Sequence, residues 1–304
     1  MIARDGVVLL YHRVCELSAD PWGLAVTPAH FAEQMAVLRE RAAAVPLGPL
    51  LAGEAHGVAV TFDDGYEDNA GVAADILADH GVPATFFITA GRLAAPDEFW
   101  WDRLERMLLS GQPAAPAVQV LVRQSPLWAD VRSTAARQRA HEALYWRLRP
   151  QPPSLIDVVL DDVEKQLGAA GGNRRSHRMM SPAQLRTLAE RPGIDIGAHT
   201  LSHPQLATQL VDVQRHEIAG SREHLQALLD REVSLFAYPY GDAQAFDATT
   251  KELVDEAGFD AACAVRAGPV EAATDPFDVP RHVVGDWDGV TFHERLDRWW
   301  AATG

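Results

Sequence analysis

The sequence predicts an α/β fold in which helices cover a largely parallel β-sheet and a helical insertion interrupts the middle of the chain. Before residue 95 and after residue 190, short runs rich in β-branched residues alternate with helical patterns. This alternation is typical of βαβ units, whose strands run parallel. Between about residues 99 and 191, helical patterns dominate and strand signals are few. We therefore expect a single domain over residues 1–304, with the insertion at about 99–191.

The first part of the chain contains three strand signals and two helix signals. The strand signals are short apolar runs, as expected for strands buried on both faces of a parallel sheet. One helix begins after Thr27 with Pro28, and Gly81 closes the other, both at positions that these residue types favour. The predicted strands are Val7–Tyr11, Val58–Phe62 and Ala84–Thr89, and the predicted helices are Phe31–Arg41 and Asn69–His80.

The insertion and the last part of the chain follow the same two patterns. Ser181 and Gln184 form a capping-box signal for a helix start within the insertion. The other predicted helices of the insertion are Trp101–Leu109, Ala129–Leu148 and Leu155–Leu167. The predicted strands after it are Ile194–Ala198, Leu235–Tyr238, Ala261–Val265 and Val279–Val284, and the predicted helices are Val211–Leu229, Ala248–Ala257 and Thr291–Trp300.

Composition and charge exclude several classes of protein. The chain has 42 acidic against 27 basic residues and a net charge of −15, so we expect no nucleic-acid partner. Its two cysteines are too few for a disulfide framework. No apolar run approaches the ~20 residues of a membrane helix, and Val7–Tyr11 is too short for a signal-peptide core. We therefore expect a cytoplasmic protein, whose oligomeric state the sequence does not indicate.

Two adjacent aspartates follow the second predicted strand, in the run Thr61-Phe62-Asp63-Asp64-Gly65-Tyr66. Functional side chains of α/β proteins lie at the carboxyl ends of the strands, and Gly65 permits a turn that brings both carboxylates to one pocket. Like charges this close repel each other unless a cation or a proton offsets them. The run therefore indicates a cation-binding site, an exposed Asp-Asp turn or a helix cap.

Two histidines follow a later strand, in the run His199-Thr200-Leu201-Ser202-His203-Pro204. At the i, i+4 spacing they would share one face of a helical turn and bind one metal ion. Together with one aspartate they make a 2-His-1-carboxylate set. Such a set favours Zn²⁺, is compatible with Co²⁺, Fe²⁺ or Ni²⁺, and leaves coordination positions open.

A third run, Phe236-Ala237-Tyr238-Pro239-Tyr240-Gly241, also follows a predicted strand. Proline and glycine favour a tight turn that presents a backbone N–H and aromatic side chains. By itself the run is more typical of an aromatic turn that lines the core.

These three motifs, in this order, resemble those of the NodB-homology polysaccharide deacetylases, carbohydrate esterase family 4. The similarity covers about residues 5–95 and 190–290. It implies a distorted, incomplete (β/α) barrel and a metal-dependent hydrolase that removes an N-acetyl group from an acetylated amino sugar. It also implies roles for five residues: Asp63 as general base, Asp64, His199 and His203 as ligands of one divalent ion, and the Tyr240 backbone N–H as oxyanion donor.

The chain departs from the commoner family pattern in two places. Ala237 stands where the third motif carries an arginine, and no apolar strand ending in L-H supplies the usual C-terminal acid histidine. The early Tyr11-His12 instead resembles the branch of the poly-N-acetylglucosamine deacetylases, which implies His12 as general acid. Arg281 is the candidate to replace the missing arginine beside the base, and His282 is an alternative acid.

Two alternative functions stay open. One is a hydrolase of another non-peptide C–N bond, in a cyclic ureide or a formamide. The other is a catalytically silent carbohydrate-binding relative, although all four of Asp63, Asp64, His199 and His203 are present. A cytoplasmic location favours a sugar nucleotide, an aminoglycoside-like precursor or a glycolipid over a cell-wall polymer, and it permits peripheral contact with a membrane-bound substrate.

Overall fold

The computed structural model describes residues 6–41, 43–110, 113–168 and 172–301. The chain divides into two compact units. The first comprises the chain up to Leu17, Trp22–Ala94 and the chain from Met179 onward, and the second comprises Ser18–Pro21 and Ala95–Arg178. This division does not test the single domain predicted over residues 1–304, which stays a prediction.

Seven parallel strands of the first unit form one sheet. The strands of the described residues are β1 (Gly6–Tyr11), β2 (Arg13–Val14), β3 (Ala25–Val26), β4 (Gly57–Phe62), β5 (Ala84–Ile88), β6 (Ala117–Val122), β7 (Ser125–Asp130), β8 (Ile194–Ala198), β9 (Leu235–Ala237), β10 (Ala261–Cys263) and β11 (His282–Val283). The sheet order is β10-β9-β8-β5-β4-β1-β11, and every neighbouring pair is parallel. Strands β2 and β3 make a separate short pair.

Helices alternate with these strands. They are α1 (Pro28–Glu40), α2 (Leu47–Ala52), α3 (Ala74–His80), α4 (Trp100–Glu105), α5 (Thr134–Leu148), α6 (Pro153–Leu167), α7 (Pro182–Ala189), α8 (Val211–Leu229), α9 (Ala248–Glu256) and α10 (Gly289–Ala301). The predicted capping box of Ser181 and Gln184 starts α7, and Gly81, at a left-handed φ of 66°, ends α3. Within the described part of the chain, no helix is long and apolar enough to cross a lipid bilayer.

The sheet curls into the distorted, incomplete barrel that the resemblance implied. Its two edges meet the same segment, because Val279 bridges Cys263 of β10 while His282 and Val283 pair with β1. Only these few positions pair, so the predicted strand Val279–Val284 is reduced to the two residues of β11. The two edges of the sheet are therefore joined through only a few paired positions, and the barrel is incomplete there.

Two apolar clusters lie on opposite faces of the sheet. The larger one contains Phe62 and Phe86 together with helix residues such as Ile218, so it is the helix-covered outside. The smaller one contains Ala59 and Phe87, on the opposite strand faces from Phe62 and Phe86, together with two residues of α2, so it is the inside of the curl. Because every second side chain of a strand lies on the same face, Asp63, four residues after Ala59 of β4, points to the inside of the curl.

The second unit is not purely helical. Besides α4, α5 and α6, it contains the antiparallel hairpin β6–β7, where the sequence analysis predicted no strand and began a helix at Ala129. Val118, Val120 and Val122 are buried while Gln119 and Leu121 are exposed, which is the period-2 pattern of a strand. Helix α7, which falls inside the predicted span of the insertion, belongs to the first unit.

Candidate metal centre and its surroundings

Asp63 and Asp64 lie at the carboxyl end of β4, as the sequence predicted. Asp64 has a left-handed φ of 75°, and Gly65 follows at 91°. On a regular strand two consecutive side chains point to opposite faces, but this turn places both aspartates in buried positions, each 2% exposed. The Thr89 backbone N–H donates to the Asp64 carbonyl at 3.2 Å and fixes the turn against the end of β5.

His199 and His203 lie in a loop after β8, not on a helical turn. Thr200 and His203 have φ values of 64° and 62°, which a right-handed helix excludes. The His203 backbone N–H donates to the Thr200 hydroxyl at 3.0 Å. The prediction that the two histidines share a helix face is therefore wrong. The loop brings them together instead, with their ring centroids 4.9 Å apart.

Glu217 of α8 determines the shape of this histidine loop. Its carboxylate accepts the backbone N–H of Leu201 at 2.9 Å and of Ser202 at 2.8 Å, and the Ser202 hydroxyl also donates to it. Glu217 is 7% exposed, so these three donors replace the water that its charge would otherwise need. Glu217 has no signature in the sequence, because its partners are mostly backbone groups and leave no motif.

Asp64, His199 and His203 place three ligand atoms close together. The Asp64 Oδ1 lies 3.3 Å from His203 Nε2 and 3.6 Å from His199 Nε2. Ligand atoms about 2.1 Å from one tetrahedral ion lie about 3.4 Å apart, so the spacing fits a zinc-sized ion. The His199 Nδ1–H donates to the Ala237 carbonyl at 2.7 Å, which leaves Nε2 without a proton, as a metal ligand must be.

The protonation of these groups also suits a divalent cation. Burial raises the pKa of Asp64, so its negative charge is costly in this site. Burial lowers the pKa of His199 to about 4, so its ring is neutral near pH 7. A bound cation would offset the cost of the buried Asp64 charge, and it would be ligated by the neutral His199 ring. The residues present therefore fit the predicted metal.

Arg281 and Asp63 form a buried ion pair, as predicted. The guanidinium Nη1 and Nη2 each donate to one Asp63 carboxylate oxygen at 2.7 Å. Arg281 is held in turn by the Ala264 carbonyl at 3.0 Å from Nε and by the Thr61 hydroxyl at 3.2 Å from Nη1. Burial alone would raise the pKa of Asp63, but the Arg281 charge outweighs burial and lowers this pKa to about 2.

His12 follows β1 at the same edge of the sheet. Its backbone carbonyl accepts a hydrogen bond from Asn69 Nδ2 at 2.9 Å, which ties the end of β1 to the segment after the two aspartates. Burial lowers the pKa of His12, while the negative charges of Asp64 and Asp63 oppose that shift. Tyr11 pairs with Phe62, and the Asp63 backbone N–H donates to the Tyr11 carbonyl at 3.0 Å, so His12 lies beside the start of the aspartate turn.

Tyr240 and His282 have different surroundings. Tyr240 has a left-handed φ of 63°, and its ring packs edge-on against His203 at a centroid distance of 4.7 Å, so its turn adjoins the candidate metal ligands. His282 stacks on Trp299 of α10 at 4.5 Å. Because neighbouring residues on a strand face opposite sides, His282 points away from the side on which Arg281 meets Asp63.

A sequence model described as polysaccharide deacetylase matches residues 52–115 and 163–262, more than half of the chain. The chain belongs to the polysaccharide deacetylase family. The resemblance drawn from the three motifs is thereby confirmed, and the enzyme class is N-deacetylase. No curated protein sequence matches this chain at a significant level.

Solved structures of three deacetylases resemble this polysaccharide deacetylase along nearly their whole length. IcaB from Ammonifex degensii is 20% identical, with a TM-score of 0.62 and coverage of 98% of this chain and 97% of its own. PplD from Streptococcus pyogenes, in complex with acetate, is 17% identical, with a TM-score of 0.62 and coverage of 97% and 98%. A de-N-acetylase from Aggregatibacter actinomycetemcomitans is 13% identical, with a TM-score of 0.60 and coverage of 96% and 99%. At these identities the likeness shows the fold.

Replacing Glu217 by glutamine is expected to weaken zinc binding by ~10–100-fold, the usual effect of losing a group that orients metal ligands. Glutamine keeps one carbonyl acceptor but turns an amide N–H₂ toward the remaining loop donors. Competition titration against a chromophoric chelator measures the affinity. Glu223→Gln, an exposed position on the same helix, is the matched control, and equal zinc affinity of both variants would contradict the role given to Glu217.

Proposed function

We propose that this polysaccharide deacetylase hydrolyses the N-acetyl group of an acetylated amino sugar, with one divalent metal ion held by Asp64, His199 and His203. The observation that carries the proposal is the buried cluster of these three ligands directly beside the Asp63–Arg281 ion pair. One site thus combines a place for a cation with an ionised carboxylate outside the ligand set.

Zn²⁺ is the ion that best fits two imidazoles and one carboxylate at this spacing, and Co²⁺, Fe²⁺ and Ni²⁺ accept the same donors. Bound there, such an ion polarises the amide carbonyl and makes a water molecule easier to deprotonate. The remaining tasks fall to side chains and backbone groups of the chain.

Asp63 takes the proton from the attacking water. Its pKa of about 2 keeps it ionised over the whole physiological range, and Arg281 holds both of its oxygens in a fixed orientation. Each carboxylate oxygen keeps a further lone pair for the proton. A positioned base of this kind contributes roughly 10²–10⁴-fold to a rate.

His12 and Tyr240 complete the proposed machinery. The protonated His12 imidazole, which the charges of Asp64 and Asp63 favour against the effect of burial, gives its proton to the leaving amine nitrogen, which is a poor leaving group while unprotonated. After release, His12 takes a proton from solvent and Asp63 loses one to solvent, so both groups return to their starting states. The Tyr240 backbone N–H donates a hydrogen bond to the acetyl oxygen as that oxygen gains negative charge. The positions of the two residues support these roles. At the carboxyl edge of the sheet, His12 adjoins the aspartates and Tyr240 adjoins the histidine loop.

The test is acetate release from a panel of N-acetylated substrates by metal-free protein reconstituted with Zn²⁺, Co²⁺, Ni²⁺ or Fe²⁺. The panel holds N-acetylglucosamine oligomers, a sugar nucleotide, an acetylated glycolipid and an acetylated aminoglycoside-like compound. We expect metal-dependent turnover of at least one, abolished by a chelator. Turnover confined to formamides or cyclic ureides, or sugar binding without acetate release, would contradict the proposal. The predicted cytoplasmic location is independent of this test and stays a prediction.

Replacing His12 by glutamine is expected to slow release of an amine far more than release of a phenolate. The variant should lose roughly 10²–10⁴-fold of its rate on an N-acetyl sugar, yet hydrolyse 4-nitrophenyl acetate nearly as fast as the parent, because 4-nitrophenolate leaves without a proton. Steady-state rates on both substrates measure this. His282→Gln is the matched control and should keep both activities; an equal loss on both substrates in His12→Gln would exclude a general-acid role.

A further inference from the structure

One surface of the second unit is basic and apolar in a chain that is otherwise acidic. Residues 117–149 contain six arginines and two acidic residues, a formal charge of +4, whereas the whole chain carries −15. Arg149 is buried, and the other five arginines lie at least partly at the surface. Such an uneven distribution of charge points to an anionic partner at this surface. The surface is formed by the β6–β7 hairpin and by α5, and we call it the hairpin–α5 surface.

The hairpin presents its apolar side chains to solvent. Leu121 of β6 lies opposite Pro126 of β7, and Trp128 is two residues further along β7 on the same face. Leu121 is 62% and Trp128 63% exposed, which is unusual for residues of this size. At the tip, Arg123 is exposed in a two-residue turn whose two left-handed residues match the twist of the strands.

Helix α5 extends this face. Trp128 and Leu127 line a groove of about 280 Å³ together with Arg139 and Ala143 of α5. Trp146 follows Ala143 by one helical turn on the same stripe and is 51% exposed. The three exposed apolar side chains therefore lie along one continuous surface, with arginines beside them.

The end of α5 is fixed to the hairpin tip. The Arg147 guanidinium donates to the Ser125 carbonyl at 3.3 Å, so the helix residue next to it, Trp146, lies close to the turn that carries Arg123. The hairpin–α5 surface thus ends in a tip that combines an exposed arginine with exposed apolar side chains.

We propose that the hairpin–α5 surface docks this protein peripherally on an anionic lipid bilayer. Arginines attract the phosphate headgroups, each contributing about fivefold in affinity near such a surface. Tryptophan and leucine side chains enter the boundary between headgroups and acyl chains. The exposed Leu121, Trp128 and Trp146 favour a bilayer over an anionic polymer, because a polyanion in water has no apolar phase in which to bury them.

The test is co-sedimentation of the full chain with vesicles of phosphatidylcholine, with and without phosphatidylglycerol. We expect binding that requires phosphatidylglycerol and weakens with salt. Arg123→Glu and Arg139→Glu each change the charge by two and should lower vesicle affinity by roughly 25-fold. Leu121→Ala and Trp128→Ala should each lower it several-fold. Quenching of tryptophan fluorescence by brominated lipid should decrease in Trp128→Ala and Trp146→Ala.

Matched controls lie outside the surface. Arg215→Glu removes an exposed arginine of α8, and Val290→Ala removes a valine that is 71% exposed; both should bind vesicles like the parent. All variants should keep their acetate release from a soluble substrate, which separates this proposal from the catalytic one. Absence of vesicle binding, equal binding to neutral vesicles, or equal loss in the controls would overturn it. Tight binding to a soluble polyanion that the Leu121 and Trp128 variants retain would also overturn it.

Discussion

Replacing Asp63 by asparagine is expected to cost the enzyme both its activity and a large part of its stability. The amide cannot accept the proton of the attacking water, so turnover should fall roughly 10²–10⁴-fold. The change also leaves the buried Arg281 charge, 1% exposed, without its counter-ion, and breaking a buried pair from one side typically costs about 3–5 kcal/mol. Acetate release and urea unfolding of the metal-free protein measure the two effects.

The double variant Asp63→Asn/Arg281→Met separates the two effects. Methionine removes the unpaired charge and fills part of its volume, so the free energy of unfolding should return close to that of the parent. Activity should stay lost, because the base is still absent. Recovery of activity in the double variant would disprove a direct role of Asp63 in proton transfer.

Arg281→Met alone should change the pH dependence. The folded-state pKa of Asp63, about 2, lies below its ordinary 3.8, so the pair stabilises the fold above about pH 4 and this contribution is lost as the pH falls through about 2. Without Arg281 burial prevails and raises the pKa of Asp63 above its ordinary value. The acid limb of the kcat/KM profile should therefore move to higher pH than in the parent.

Replacing Asp64 by asparagine is expected to have the opposite effect on stability and an equally large effect on function. Burial raises the pKa of Asp64, so without metal its buried negative charge destabilises the folded state. Asparagine carries no charge and avoids this cost. The metal-free variant should be at least as stable as the parent. It should lose the stabilisation by zinc, which amounts to about 2.7 kcal/mol for a ligand at 100 times its Kd, together with acetate release.

Thermal unfolding with and without Zn²⁺ measures this difference between the two adjacent aspartates. Exposed His216 of α8 supplies the control, since His216→Ala should keep the full zinc-dependent rise in Tm. A zinc-dependent rise of parental size in Asp64→Asn would remove Asp64 from the metal site. Destabilisation of metal-free Asp64→Asn would show that its charge is compensated by the protein itself.

The sequence predicted the residues of the site better than their local geometry. Asp64, His199 and His203 were chosen from strand-end positions and ligand type, and the structure brings all three together. The i, i+4 spacing of the histidines predicted a helical turn, and this was wrong, because a loop with left-handed residues, held by Glu217, takes its place. Spacing along the chain limits the distance between two side chains, but it does not determine the backbone path between them.

The insertion shows the same limit at the level of secondary structure. Residues 117–130 carry a period-2 pattern, yet the surrounding helical signals led to the prediction of helices alone. A hairpin is stabilised by cross-strand pairs such as Gln119 with Trp128, and no single-segment pattern reports that pairing. The surface from which we infer lipid binding is a consequence of that hairpin.

By itself, the sequence determined the α/β class, the family and the set of candidate metal ligands, because strand periodicity and ligand chemistry are local properties of the chain. The resemblance named Arg281, His12 and His282 as candidates around that set, and only the tertiary structure decided how each of them lies. It joined Arg281 to Asp63 across 218 positions, tied His12 to Asn69, and turned His282 outward to Trp299. The physical reason is that closure of a parallel sheet brings the ends of distant strands to one edge, and alternation along each strand then selects the side chains that face inward.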